Sequence, residues 1–247
     1  MKSAYLQLKI LNSMKKIIAL FAIALIAFAC SSKKEGNMVV KGQITGLKKG
    51  TLYLQKMKDT VLISVDSMAL LGDDKFMLTD NVDSPVMYYL TFDGNTTDKH
   101  IMFFGEQGEI TINDKIEEFG FKPEISGSKN QEVMDKFREM DNRFRDQRLE
   151  FVAKDFEARK AQDEELVKQL EADYKKMVRR RFLFSTNFAI TNADSEAAPY
   201  IALTELYDAN LQLLDTINNS LTDKVKNSEY GKRLQKFVTD IKTKEEN

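Results

Sequence analysis

The chain has 247 residues, 43% apolar and 30% charged, with a formal net charge of −1. That balance excludes a disordered or membrane-embedded chain and argues against a nucleic-acid binder, which concentrates positive charge. A single histidine and a single cysteine rule out, by count, a histidine-rich metal site and any intrachain disulfide.

Met14-Lys15-Lys16 leads into an unbroken apolar run from Ile17 to Ala29, followed at once by Cys30. A basic start, an apolar middle and a small-residue site are the parts of a secretory signal. The run would rise about 20 Å as a helix, short of a hydrocarbon core of about 30 Å, so it does not read as a lasting span. Ala27-Phe28-Ala29-Cys30 resembles the cleavage site of bacterial lipoprotein signal peptides, with Ala27 where that motif usually carries Leu. The resemblance implies cleavage between Ala29 and Cys30 and acylation of Cys30 by palmitate-like chains. Two or more chains anchor firmly, because each buried methylene contributes about 0.8 kcal/mol. Ala27 and Ala29 equally suit ordinary signal peptidase, which would release a soluble chain with a bare thiol. A start at Met14 instead of Met1 would set the charge directly against the apolar run. Ser31 stands where an aspartate marks inner-membrane retention in some bacteria, so the expected address is the outer membrane, facing the periplasm.

The expected organisation is a signal over 1–29, a lipidated tether over 30–37, an antiparallel β domain over 38–125 and a helical domain over 126–247. Seven β-rich runs alternate with turn residues: Val39 to Thr45, Thr51 to Lys56, Val61 to Leu71, Lys75 to Thr79, Val86 to Phe92, His100 to Phe104 and Glu109 to Asn113. Such spacing predicts an antiparallel sandwich or partial barrel. Leu52 and Leu54 alternate with Tyr53 and Gln55, and Val61, Ile63 and Val65 repeat the period, so one face is core.

After Ile125 the period changes from 2 to 3.6, and Ser128 with Gln131 fits a capping box. Val133, Phe137, Met140, Phe144 and Phe151 form a heptad-like seam, resumed by Leu166, Leu170, Met177 and Phe182 after a lapse near Lys160 to Asp163. Opposite charges four apart, Glu139 with Arg143, Asp141 with Arg145, Glu150 with Lys154 and Asp155 with Arg159, suit a solvated outer face. Two long antiparallel helices are predicted, their seam packing within the chain or against a second copy. Past Asn192 to Pro199, the stretches Tyr200 to Asn218, Thr222 to Val225 and Glu229 to Ile241 read as shorter helices. The fold class is therefore α+β.

Val40-Lys-Gly-Gln-Ile-Thr-Gly46, Gly50-Thr-Leu-Tyr-Leu54, Asp66-Ser67, Pro85-Val-Met-Tyr88, Gly108-Glu-Ile-Thr-Ile112 and Ile125-Ser-Gly-Ser128 together resemble a bacterial domain of unknown function. That domain commonly precedes the thioredoxin-like domain of anchored thiol–disulfide oxidoreductases. The resemblance continues through Asn192-Ala-Asp-Ser195, Pro199-Tyr-Ile201 and Ser228-Glu-Tyr-Gly-Lys232. No residue matches the Cys-x-x-Cys pair of the longer relatives, so redox catalysis does not carry over.

Other chemistry is thinner. His100 lies in a strand-like run, and catalytic histidines need oriented partners. The oxygen-rich loop Asp93 to Asp98 lacks the glycine and the acidic residue of a calcium loop. Ser126-Gly-Ser-Lys129 fits a serine-x-x-lysine signature without its companion motifs. Arg179-Arg-Arg181 suits phosphate or acidic lipid only if unpaired. No catalytic residue, metal or cofactor is expected. The chain reads as a non-enzymatic envelope lipoprotein, an interaction or scaffold module with a protein partner in the envelope. The alternative is an accessory to periplasmic thiol–disulfide exchange whose redox domain is supplied by another polypeptide. An unrecognised hydrolase would need an active serine or carboxylate in the β half.

Overall fold

The structure is a computed structural model that describes residues 36–93 and 99–245. The signal segment, the Ala29–Cys30 cleavage point, the tether as far as residue 35 and residues 94–98 of the oxygen-rich loop lie outside the described residues.

Among the described residues, eight strands form two four-stranded sheets. One runs in the order β4 (Lys75–Asp80), β1 (Met38–Thr45), β7 (Gly108–Lys115), β8 (Glu124–Ser126). The other runs β3 (Val61–Leu71), β2 (Lys49–Lys58), β5 (Val86–Phe92), β6 (Ile101–Gly105). Alternation supplies the inner faces. Met38, Val40, Ile44, Ile110 and Ile112 come from the first sheet, and Leu52, Leu54, Tyr88, Leu90, Ile101 and Phe103 from the second, all in one buried cluster. This is an open sandwich rather than a closed barrel.

One pair departs from the antiparallel expectation: β1 and β7 run parallel. Five strands separate them in sequence, so no hairpin dictates their relative direction. Gly42 lets them close up, since a β-carbon there would stand 1.8 Å from the Ile112 carbonyl oxygen. β3 also departs from the alternation expected of it. Val61 is exposed, whereas Asp66 and Leu70 turn inward past an irregularity in the β2–β3 register at Leu54/Gln55. Slipping the register by one residue exchanges the two faces.

The helical part opens with a hairpin of α1 (Lys129–Lys160) and α2 (Glu164–Thr191). Ser128 caps α1, its hydroxyl accepting the Gln131 N–H at 3.1 Å. Gln131 does not complete a capping box. Its side chain instead accepts the Phe104 N–H at 2.9 Å and donates to Asp135 at 2.7 Å. Gln162, with φ 55°, reverses the chain, and Asp163 caps α2 through the Leu166 N–H. Phe137 stacks on Phe184 and meets Phe188 edge-on, while Phe151 meets Tyr174.

The seam also needs correcting. Met140 and Leu166 are exposed, and Asp141 turns inward in place of Met140. Arg181 on α2 takes Asp141 in two hydrogen bonds of 2.7 and 3.0 Å and Glu205 in a third of 2.5 Å. Asp141 is therefore not spent on Arg145. The pairs Glu150–Lys154 (3.8 Å) and Asp155–Arg159 (2.7 Å) form on the surface as spaced.

The helix expected over Tyr200 to Asn218 is two, α3 (Ala197–Glu205) and α4 (Leu211–Ser220), because Asn210 caps the second through the Leu213 N–H. Then come α5 (Asp223–Lys226) and α6 (Glu229–Glu245). Leu206, Leu214, Ile217, Leu221, Val225, Leu234 and Val238 form their own buried cluster.

Sheet and helices meet at β5 and β6. Phe104 sits edge-on to Tyr200 and Tyr230, with centroids 5.4 and 6.1 Å away. The Tyr230 hydroxyl accepts the buried Met87 N–H at 3.1 Å. Burial pushes the Tyr230 phenol well above its ordinary range. Tyr230→Phe would leave that N–H without a partner, so unfolding free energy should fall by about 1–3 kcal/mol. Urea denaturation would record this as a lower midpoint at unchanged slope.

Candidate functional site

A cleft of about 470 Å³ opens beside β6. His100 lines it from just before the strand and Met102 from within it, Phe121, Lys122, Pro123 and Ile125 from the β7–β8 connection and β8, and Gln131, Asp135 and Arg138 from the first turns of α1. Gly120 is what lets the connection close on the strand. It has φ +76°, and a β-carbon there would lie 2.6 Å from the His100 carbonyl oxygen.

Backbone direction matters most. Met87 and Phe104 face each other across β5 and β6, yet the Met87 N–H goes to Tyr230 and the Phe104 N–H to Gln131. They are therefore a non-hydrogen-bonded pair of the antiparallel ladder. Every second pair repeats that state, so Met102, opposite Tyr89, also turns its N–H and C=O away from β5. That is the side on which Gln131 meets Phe104. β6 is thus a sheet edge stopped at Phe104 by a glutamine side chain and presenting the amide and carbonyl of Met102 next to a cavity.

The polar wall is biased towards positive charge. Asp135 is already engaged by Gln131 and stands 3.8 Å from Arg138. Lys122 lies over the Phe121 ring at 5.5 Å from its centroid. Phe121 itself is 72% exposed, an apolar rim for the opening. The His100 ring meets Tyr89 edge-on at 5.3 Å.

The other residues singled out from sequence are scattered. Ser126 ends β8 and Lys129 opens α1, its N–H held by Glu106, so the Ser-x-x-Lys segment is a strand-to-helix turn. Arg181 is tied into the ion-paired triad, while Arg179 and Arg180 are exposed. Asp93 accepts the Thr51 N–H; the rest of its loop, like Cys30, lies outside the described residues. Of the helix residues in the wall, Gln131 reads from sequence only as half of a capping box, and Asp135 and Arg138 carry no reading at all. Their i, i+4, i+7 spacing directly after a helix cap places them on one face, which was the available signal.

Both sheets and the first turns of α1 answer to a known pattern. Residues 38–134 match the family model for a domain of unknown function, DUF4369. The DUF4369 segment takes in β1 to β8 and Gln131, and so most of the cleft wall. No curated protein and no solved structure matches the chain.

Proposed function

We propose that this protein is a non-enzymatic interaction module of the cell envelope, lipid-anchored through Cys30 at the outer membrane, that binds an extended, acidic segment of an exported partner in the cleft. The supporting observation is the Met102 edge of β6. An added strand pairs with an N–H and a C=O that the sheet leaves unpaired, and main-chain pairing of this kind gives affinity while neighbouring pockets give specificity. Arg138 and Lys122 supply the preference for carboxylates, and Phe121 and Ile125 supply apolar contact. The anchor rests on the order of residues from Met14 to Cys30.

A photo-crosslinking side chain in place of Phe121, introduced into the full chain in its own envelope, tests the cleft. The expected product is a short acidic segment of an exported protein. Arg138→Glu with Lys122→Glu should cut its yield about tenfold at unchanged thermal stability, since reversed charge repels as well as removing attraction. Undiminished capture by the double variant would dismiss the cleft. An accessory role in thiol–disulfide exchange is a second proposal that rests on the family resemblance, and unchanged thiol states of exported proteins after deletion of the gene would dismiss it.

A further inference from the structure

The end of the sandwich at which β1 begins is also the end from which the β2–β3 hairpin projects. Met38 stands opposite Asp80 of β4 and Gly108 of β7. The Lys56 ammonium on β2 reaches the Asp80 carboxylate at 2.5 Å, and the Tyr88 hydroxyl donates to the same carboxylate at 2.6 Å. These contacts fix the last part of β2 against β4 at the level of Met38. Beyond that level the hairpin runs on. Met57 faces Leu62 and Lys58 faces Val61 across its final rungs, and Asp59, with φ 55°, turns the chain into Thr60. Two further residues on each strand add about 7 Å, so the tip stands clear of the strand ends around it.

That tip is apolar and uncovered. Val61, Leu62 and Met57 are 60, 44 and 38% exposed. Leu71 and Phe121 are exposed as well, but they belong to the opposite end of the strands, where Leu71 pairs with Lys49 at the start of β2 and Phe121 follows the Lys115 end of β7. What separates the tip from them is where the chain enters. The covalent path from Cys30 to Met38 spans at most about 28 Å even when fully extended. An anchor at Cys30 therefore holds the Met38 end of the sandwich close to the bilayer, with Leu71 about 30 Å further off along β2. Charge does not supply the attraction. Lys58 and Asp59 cancel at the tip, and Asp83 and Glu106 lie in neighbouring links of the same end, so anionic headgroups gain nothing over neutral ones.

We propose that the β2–β3 tip, Met57 to Leu62, is a second membrane contact that sinks its three apolar side chains into the lipid surface. The inference rests on the Cys30 anchor proposed above and adds an orientation to it. A lipid on a tether leaves the domain free to tumble, whereas the tip makes attachment two-point. Three side chains bind a bilayer weakly alone, but the tether turns their insertion into an intramolecular event at raised effective concentration. His100, Phe121 and Lys122 lie at the far end of the strands, so the docked protein turns its cleft away from the bilayer.

Site-directed fluorescence on the full mature chain, purified from envelopes and reconstituted into phosphatidylcholine vesicles, tests it. The wild-type chain is the control for the anchor: acylated Cys30 takes up no thiol-reactive fluorophore, and a wild type that labels would overturn the anchor itself. With the anchor intact, a fluorophore at Thr60→Cys should be quenched by lipids carrying a nitroxide near the headgroup roughly fivefold more strongly than one at Leu71→Cys. Anionic lipid and added salt should leave that ratio unchanged. Introducing Val61→Asp and Leu62→Asp alongside Thr60→Cys should bring the quenching down to the Leu71→Cys level at an unchanged thermal midpoint. Equal quenching at Thr60→Cys and Leu71→Cys, or quenching that survives the two aspartates, would overturn the tip as a membrane contact and leave the anchor standing. So would a Thr60→Cys probe unquenched in vesicles and shielded only in native envelopes, which would assign the tip to a protein partner.

Discussion

Phe104→Ala should lower the free energy of unfolding by about 4 kcal/mol, the cost of emptying a buried phenylalanine site. Phe104 is fully buried and its ring is the contact between β6 and the Tyr200–Tyr230 pair of the helical half. Its backbone N–H is also the group Gln131 holds. The loss is therefore one of docking as well as packing. For a folded unit of this size the midpoint of thermal unfolding should drop by about 10 °C. Amide exchange should quicken first at Met87 and Phe104, whose N–H partners come from the helices. Phe121→Ala, a change of the same chemistry on the cleft rim, should stay within about 0.5 kcal/mol of wild type. Equal stability of the Phe104 and Phe121 variants would mean that the helices do not rest on β6.

Arg181→Met should cost about 3 kcal/mol, for a different reason. The guanidinium is the shared partner of Asp141 on α1 and Glu205 on α3, and the Asp141 carboxylate is nearly buried. Its hydrogen bonds to Asp141, ahead of the opposing effect of burial, push the Arg181 guanidinium up from its ordinary value. Methionine fills much of the volume but leaves a carboxylate out of water with no counter-charge, and breaking a buried pair is far more costly than replacing it whole. Arg181→Met with Asp141→Leu and Glu205→Leu should recover most of the loss. Denaturant titration of the single and triple variants measures both. A triple variant as unstable as the single one would place the energy in packing instead of charge.

Much of the fold is written in local pattern. Leu52 and Leu54 alternate as their strand requires, and Ser128 announces α1 because its hydroxyl suits an N-cap. The hairpin reversal near Gln162 shows in the lapse of the apolar seam. What escapes is set by partners distant in sequence. Nothing around Gly42 says that β1 runs parallel to β7. Asp141 reads as a surface charge until Arg181, forty residues on, is seen to take it. Gln131 reads as half of a capping box because its other partner, the Phe104 N–H, belongs to a strand edge that single-sequence reasoning cannot place. β8, three residues long, is too short to show any period.

The cleft was less legible still. It is assembled from a strand, a connection and a helix, and its key group is a main-chain amide, which no side-chain motif can flag. His100 drew attention only as the single histidine, and its neighbours in the cleft, Asp135 and Arg138, look like any charged pair on a helix.

In the function proposed above, the protein sits outside the cytoplasm on a lipid attached to Cys30. The intact mass of the mature protein purified from envelopes tests that most directly. The expected species is a chain starting at Cys30 and heavier than its residues by the mass of two or more acyl chains. A chain starting at Cys30 with no added mass, or one that still carries residues 14–29, would contradict it.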